Sequence, residues 1–296
     1  NDTWMTGATD LAGNPRLSGS GSVVDMGAYE KQPGALECSF SADETSVVAP
    51  ADVVFTALLS GTNLNITSYA WDFGDGNTET GAGLAVVTNT YTAAGGYTVT
   101  LTVTNDAFEV ASVTNTDYIA VWGDTAYVSA SSPSPAVPYA TWASAAHTIV
   151  AVVDTAPVGV TVVITNGTYN LTQPMVLDKA ITLIGFGDGV SGGLANATNT
   201  VVDQGGSNMR VIKITDAGVV LDGLTISGGN GRGDSYQTDG SGVNMTDGTV
   251  QNCIIKDNGG VPDYSIRVDG VGVWMSGGTV SNCIVSGNVG LLQSLG

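Results

Sequence analysis

The alternation of apolar and polar positions is clearest between Gly242 and Gly290. There one phrase is written twice, GVNMTDGTVQNCIIKDNGG at 242–260 and GVWMSGGTVSNCIVSGNVG at 272–290. Gly272 opens the second copy as Gly242 opens the first, and Cys283 answers Cys253. A weaker copy sets Val220, Asp222 and Leu224 the same distance before Val250, Asn252 and Ile254. A fixed period of this length marks a solenoid, in which each repeat buries its apolar face against its neighbours. Within the phrase, short β-branched runs are broken by Gly, Asn and Asp, which leaves room for strands and turns only. Each strand is expected to stack on its equivalent one turn away, at about 4.8 Å. Cys253 then lies over Cys283, Ile254 over Ile284 and Asn252 over Asn282. Val, Ile and Cys ladders are expected to fill the interior, with Ile284 and Val285 among its lining, and Asn ladders to bond along the turns. Upstream, Thr161-Val-Val-Ile-Thr, Ile181-Thr-Leu-Ile-Gly and Thr200-Val-Val-Asp read as earlier rungs recurring about every 20 residues.

The repeat, together with VVITNGTYNLTQPMVLDKAITLIG before it, resembles the right-handed parallel β-helix of pectin-lyase-like proteins. The resemblance covers roughly the last 170 residues, with the β-helix domain itself expected over 140–296. Before the first coils, residues 140–156 (ATWASAAHTIVAVVDTA) put Trp142, Ala145, Ala146, Ile149, Val152 and Val153 on one face at helical spacing. This predicts a capping helix, ended by Pro157 and Gly159, with His147 on it as a surface or cap residue. The Ser/Pro-rich stretch 123–139 reads as a linker merging into the next domain's first strand.

Residues 35–122 form a separate unit. Tyr97, Val99, Leu101 and Val103 alternate strictly with threonines, and short strands separated by Gly/Asp turns predict an immunoglobulin-like sandwich. The segments WDFGDG (71–76) and YTVTLTVTN (97–105) resemble the PKD domain, the polycystic kidney disease repeat. That resemblance implies Trp71 as the core aromatic, a turn at Gly74-Asp75-Gly76, and a role as a spacer or contact module. Residues 1–34, with DLAGNPR followed by VVDMGAYE, resemble the closing coil of a preceding β-helix, whose body is missing or supplied by another copy. The chain, starting at Asn1, reads as a processed product or an excerpt of something longer. The fold class expected is all-β: a PKD sandwich plus a right-handed parallel β-helix, C-terminally open, with a short N-terminal capping helix.

Charge narrows the chemistry. Eight basic residues against 27 acidic ones give −19, which argues against nucleic-acid binding and suits a protein outside the cell. No apolar run is long enough for a membrane helix, so no membrane insertion is expected. Carboxylates could hold calcium, with Asp72 and Asp75 the candidates and a structural turn the alternative; no other cofactor is expected. Cys253 and Cys283 read as a buried thiol stack rather than a disulfide, because stacked side chains point in parallel, and Cys38 has no evident partner.

Hydrolases of the pectin-lyase-like fold need convergent carboxylates, and the lyases a calcium-binding carboxylate cluster beside a base. Arg210 and Lys213 are bases, but the nearby Asp203 and Asp222 read as turn residues, so catalysis is not expected. The ligand-contact candidates are in the longer loops: Arg232, Asp234, Tyr236, Asp263, Tyr264 and Arg267. The expected function is a non-catalytic structural or adhesive repeat protein, extracellular or on the cell surface, that could assemble head-to-tail into a filament or stalk. Its partners would be further copies of itself, adjacent repeats of a larger chain, or glycans. The alternative is a polysaccharide-binding or polysaccharide-cleaving enzyme fragment.

Overall fold

The computed structural model describes residues 34–61, 63–186, 192–206, 209–231, 240–260 and 270–290. The expected closing coil at 1–34 therefore lies, but for Gly34, outside the described residues. The chain divides into two compact units, one holding most of residues 34–119 and the other residues 120–290 with the short segments 46–51 and 91–96.

The N-terminal strands are β1 (Glu37–Ala42), β2 (Ser46–Val48), β3 (Ala51–Ser60), β4 (Ile66–Asp72), β5 (Thr78–Gly81), β6 (Val86–Tyr91), β7 (Gly95–Asn105) and β8 (Val110–Trp122). They form one sheet in the order β1-β3-β6 and another in the order β2-β8-β7-β4-β5. Alternation places Val99, Leu101 and Val103 of β7 inside and its threonines outside, as the period of two requires. The core is aromatic. Trp71 packs 5.5 Å from Phe40, 5.8 Å from Phe55 and 6.1 Å from Phe73 between ring centroids. Its buried indole N–H donates to the Leu84 carbonyl at 2.9 Å, which removes the penalty of enclosing a polar group.

The second unit begins with β9 (Thr125–Val128) and α1 (Ile149–Thr155). It continues through β10 (Thr161–Ile164), β11 (Gly167–Asn170), β12 (Met175–Leu177), β13 (Thr182–Gly185), α2 (Leu194–Ala197), β14 (Thr200–Asp203) and β15 (Ile212–Ile214). Then come β16 (Val220–Asp222), β17 (Thr225–Ser227), β18 (Val243–Met245), β19 (Thr249–Gln251), β20 (Ile254–Lys256) and β21 (Gly259–Gly260). The last strands are β22 (Val273–Met275), β23 (Thr279–Ser281), β24 (Ile284–Ser286) and β25 (Val289–Gly290).

These strands build three parallel sheets that the chain visits in turn. The first is β23-β19-β16-β13-β10-β9, the second β11-β14-β17-β20-β24, and the third β12-β15-β18-β22. Inward columns are apolar: Ala126, Val162, Leu183, Leu221 and Val250 in the first sheet, Tyr169, Val202, Ile226 and Ile255 in the second. The tandem phrase stacks as its spacing predicts, with Ile254 paired to Ile284 and Thr249 to Thr279.

Four expectations change. The weaker copy is out of step with the tandem spacing by a single position: Val220 faces Thr249 rather than Val250, and Leu221 faces Val250. The reason lies in the next turn, where Gly223 (φ 71°) and Asn252 (φ 54°) occupy the equivalent left-handed position. Gly and Asn both tolerate that region, and a one-residue error there flips every side chain to the other face. The shorter period of the upstream rungs also fails after its first step. Thr161 pairs with Thr182, but Thr200–Asp203 belongs to the second sheet, opposite Gly167–Asn170. Ile284 is not an interior residue. It continues the outward column of Ile254, while Val285 continues the buried column of Ile255.

Finally, the capping helix is less than half its expected length. Residues 141–148 are bent instead: Thr141 and Ser144 bond one another's backbone and side chain in a turn, Ala146 bridges to Val128 of β9, and Thr148 then caps α1 by accepting from Ala151 N–H at 3.3 Å. His147 therefore precedes the helix. Ala145, Ala146, Ile149, Val152 and Val153 are buried as expected, whereas Trp142 is 39% exposed.

Candidate functional site

Arg232, Asp234, Tyr236, Asp263, Tyr264 and Arg267 lie outside the described residues. The stems of their two loops are described, and they stack. Gly259 N–H donates to the Gly229 carbonyl at 2.6 Å, and Gly242 N–H to that of Val271 at 3.0 Å. Both loops leave the same corner, between the second and third sheets, on successive rungs.

Two asparagine columns run along the turns. Asn282 Nδ2 donates to Asn252 Oδ1 at 2.6 Å, and Asn252 Nδ2 to Asp222 Oδ1 at 2.8 Å. The Asp222 carboxylate also accepts from Gly193 N–H at 2.9 Å and Gln251 Nε2 at 2.8 Å. In the other column Asn258 Nδ2 donates to Asn288 Oδ1 at 2.9 Å. Asp222 thus closes a ladder in the first sheet, Asp203 in the second accepts from Ser227 Oγ at 3.1 Å, and Lys213 lies in the third. Asp203 and Asp222, read from the sequence as turn residues, are the last residues of strands in two different sheets, and Arg210 precedes β15, the strand that holds Lys213.

Between the two columns, Leu224, Cys253 and Cys283 share a position. The cysteines are unbridged, and Cys253 N–H reaches Cys283 Sγ at 3.4 Å. The side-chain bond from Cys253 lowers the Cys283 thiol to about 6, while the same bond and burial push that of Cys253 well up. Burial also raises the Cys38 thiol.

In the N-terminal unit, Asp72 ends β4 and Asp75 lies within the β4–β5 turn. Asp72 Oδ1 accepts from Gly74 N–H at 2.9 Å. Asp75 Oδ1 accepts from Asn77 N–H at 2.9 Å, and its Oδ2 from Asn77 Nδ2 at 3.0 Å and Asn89 Nδ2 at 2.8 Å. Donors already occupy both Asp75 oxygens, so a calcium ion would have to displace amide partners. Among the described residues no three His, Cys, Asp or Glu side chains converge as a metal site.

A groove of about 690 Å³ lies beside α1 and the edges of β11 and β12, and no local motif marks it in the sequence. Its floor includes Ile149, Val153, Leu171 and Met175, and its rim His147, Asp154, Asn170 and Gln173. His147 Nε2 lies 3.0 Å from the Ser132 carbonyl, and the Tyr169 hydroxyl 2.9 Å from Thr165 Oγ1. Burial raises the tyrosine's pKa. Among the described residues Asp154 is the groove's one carboxylate, short of the pair that glycoside hydrolysis requires. Among the described residues no helix is long and apolar enough to cross a membrane.

Residues 39–121 match the model of the PKD domain family. No curated protein matches the chain. Among solved structures, the PKD1 domain of the Vibrio cholerae metalloprotease PrtV is 35% identical over 29% of this chain and 98% of its own, with a TM-score of 0.25. The PKD1 domain of Vibrio anguillarum Epp is 28% identical over 31% of this chain and all of its own, with a TM-score of 0.26. A structure from work on promiscuous carbohydrate-binding modules of the β-sandwich superfamily is 32% identical over 31% of this chain and 36% of its own, with a TM-score of 0.28. The segment 39–121, with its two antiparallel-rich sheets around Trp71, belongs to the PKD domain family.

Proposed function

We propose that residues 125–290 form a right-handed parallel β-helix of the pectin-lyase-like kind, and that the chain is a non-catalytic extracellular structural or adhesive repeat protein. The observation that carries this reading is the in-register stacking of six strands in the first sheet. At about 4.8 Å per step they make a rigid stack roughly 24 Å long, tied along its turns by asparagine ladders. Such an array resists bending because each rung shares its bonds with both neighbours. A PKD domain suits the same work as a spacer, and the charge of −19 suits a soluble exterior setting.

The alternative of polysaccharide cleavage has less support. The groove offers one carboxylate among the described residues, and Asp203, Asp222 and Lys213 belong to separate sheets. Further copies of the repeat are the partners that fit best. The strands β22, β23 and β24 have a parallel neighbour on one side only among the described residues, and another rung of the same pattern would satisfy the other. The test is to incubate the chain with neutral and acidic polysaccharides, follow reducing ends and unsaturated products, and image it by electron microscopy. No turnover is expected, together with end-to-end particles at high concentration. Turnover that co-purifies with the chain overturns the non-catalytic reading, and monodisperse single particles overturn the assembly.

A further inference from the structure

We propose that Tyr127, Trp142 and Phe186 form a stacking platform for a neutral pyranose residue of a glycan. The site lies on the outer face of the first parallel sheet, at its first rungs. It gives an adhesive protein a ligand, but it stands whether or not the chain assembles.

The outward column of that sheet reads Tyr127, Val163, Ile184, Asp222, Gln251 and Ser281. Its first three members are apolar and its last three polar. The outer face of a sheet needs apolar residues only where something covers it; Val163 is covered, at 8% exposure, while Tyr127 and Ile184 stay partly exposed, so the break marks off a patch. Trp142 stands over this patch, 4.4 Å from Tyr127 and 5.7 Å from Phe186 between ring centroids. The Trp142 plane is inclined by 54° to Tyr127 and by 33° to Phe186, so the three rings pack on one another as a cluster in which Trp142 is the most exposed.

The tryptophan is not closed off as a lid would be. It keeps 39% of its surface exposed, whereas Trp71 and Trp122 keep 1% each. Both buried tryptophans give their indole N–H to an acceptor, Leu84 O and Ser46 Oγ respectively. Among the described residues no acceptor meets the indole N–H of Trp142, which leaves that donor for a ligand or solvent.

The ring is held in place before any ligand arrives. Ser144 N–H donates to the Thr141 carbonyl at 3.1 Å, so Trp142 sits at the second position of a turn. The hydroxyls of Thr141 and Ser144 tie the turn again, 2.9 Å apart. Preorganisation of this kind lowers the entropy lost on binding. The two hydroxyls are exposed and belong to the same turn as Trp142, available to sugar hydroxyls.

The chemistry of such a surface selects its ligand. An aromatic face carries partial negative charge and attracts the weakly positive C–H groups on the flat side of a pyranose. The net charge of −19 opposes a uronic acid, so a neutral sugar is the class that fits.

The test uses the full chain in native gels containing hydroxyethyl cellulose, galactomannan, xyloglucan or polygalacturonate. Retardation is expected in at least one neutral gel and not with polygalacturonate. Trp142→Ala should weaken it about tenfold, Trp142→Phe should retain part of it, and both variants should keep the wild-type circular dichroism. Limited oxidation of the wild-type chain with N-bromosuccinimide gives a second readout that needs no variant. Trp142 should be modified before Trp71 and Trp122, and the retarding polysaccharide should protect it. No retardation in any neutral gel, retardation by polygalacturonate alone, or equal retardation and no protection at Trp142 would each overturn the platform. None of these outcomes bears on turnover or on end-to-end assembly.

Discussion

Asn258→Ala tests whether the asparagine columns hold the stack or merely decorate it. Asn258 is 1% exposed. Its Oδ1 accepts from Gly229 N–H at 3.0 Å, and its Nδ2 shares its two hydrogens among Asn288 Oδ1 at 2.9 Å, the Lys256 carbonyl at 3.0 Å and the Ile226 carbonyl at 3.2 Å. Two of these bonds, to Gly229 and Ile226, are buried. Truncation leaves both backbone groups facing a methyl, at about 1–3 kcal/mol for each group deprived of its partner. The expected loss is therefore about 2–6 kcal/mol. The control is Asn282→Gly, which keeps the left-handed backbone (φ 48°) and removes one exposed bond to Asn252. Water replaces that bond, so the control should cost below about 1 kcal/mol. Urea unfolding followed by circular dichroism measures both, with the m-value checked for constancy. Hydrogen exchange at the Gly229 amide adds a local readout, since that N–H should lose protection in Asn258→Ala alone. A loss in Asn258→Ala no larger than in Asn282→Gly, or an unchanged Gly229 amide, would refute the reasoning.

Four other outcomes are expected. Asn252→Val should destabilise by about 1–3 kcal/mol, because a β-branched residue is strained at φ 54° and the bond to Asp222 is lost; Asn252→Gly should cost less, and thermal melts compare the two. Iodoacetamide should label Cys283 at a rate that climbs from pH 5 to pH 7 and then levels off, since a thiol with a pKa of about 6 is mostly thiolate above that value. Cys38 and Cys253, whose thiols are pushed up, should stay largely unlabelled at pH 7; mass spectrometry of the labelled peptides decides it. Trp71→Ala should cost about 3–5 kcal/mol and lower the melting temperature of the PKD domain. Asp75→Ala should lose about 1–2 kcal/mol through its turn bonds, and a chelator should leave the wild-type melt unmoved; a chelator-induced drop in the PKD transition would show that calcium outcompetes Asn77 and Asn89.

What could be read from the sequence depended on whether a physical constraint was local. The tandem phrase repeats because stacked rungs place like residues over like, so its register is visible without coordinates. The weaker copy misled by one position, because Gly and Asn are interchangeable at a left-handed turn and identity matching does not see φ. Residues 140–156 misled for a different reason. Burial of Ala145, Ala146, Ile149, Val152 and Val153 does follow the predicted face, but an apolar pattern at helical spacing records which side chains point inward, not what the backbone does between them. The hydroxyls of Thr141, Ser144 and Thr148 offered the backbone partners outside a helix, and they prevailed. Asp72 and Asp75 were visible as a motif because a turn is contiguous. The groove and the aromatic platform were not, since Tyr127 and Phe186 stand far apart along the chain, with the helix α1 and four strands between them. Only the parallel register of β9, β10 and β13 brings them to one face. In a stack built from short rungs, surface chemistry is written down a column rather than along the chain, so a ligand site has no phrase of its own to be recognised by.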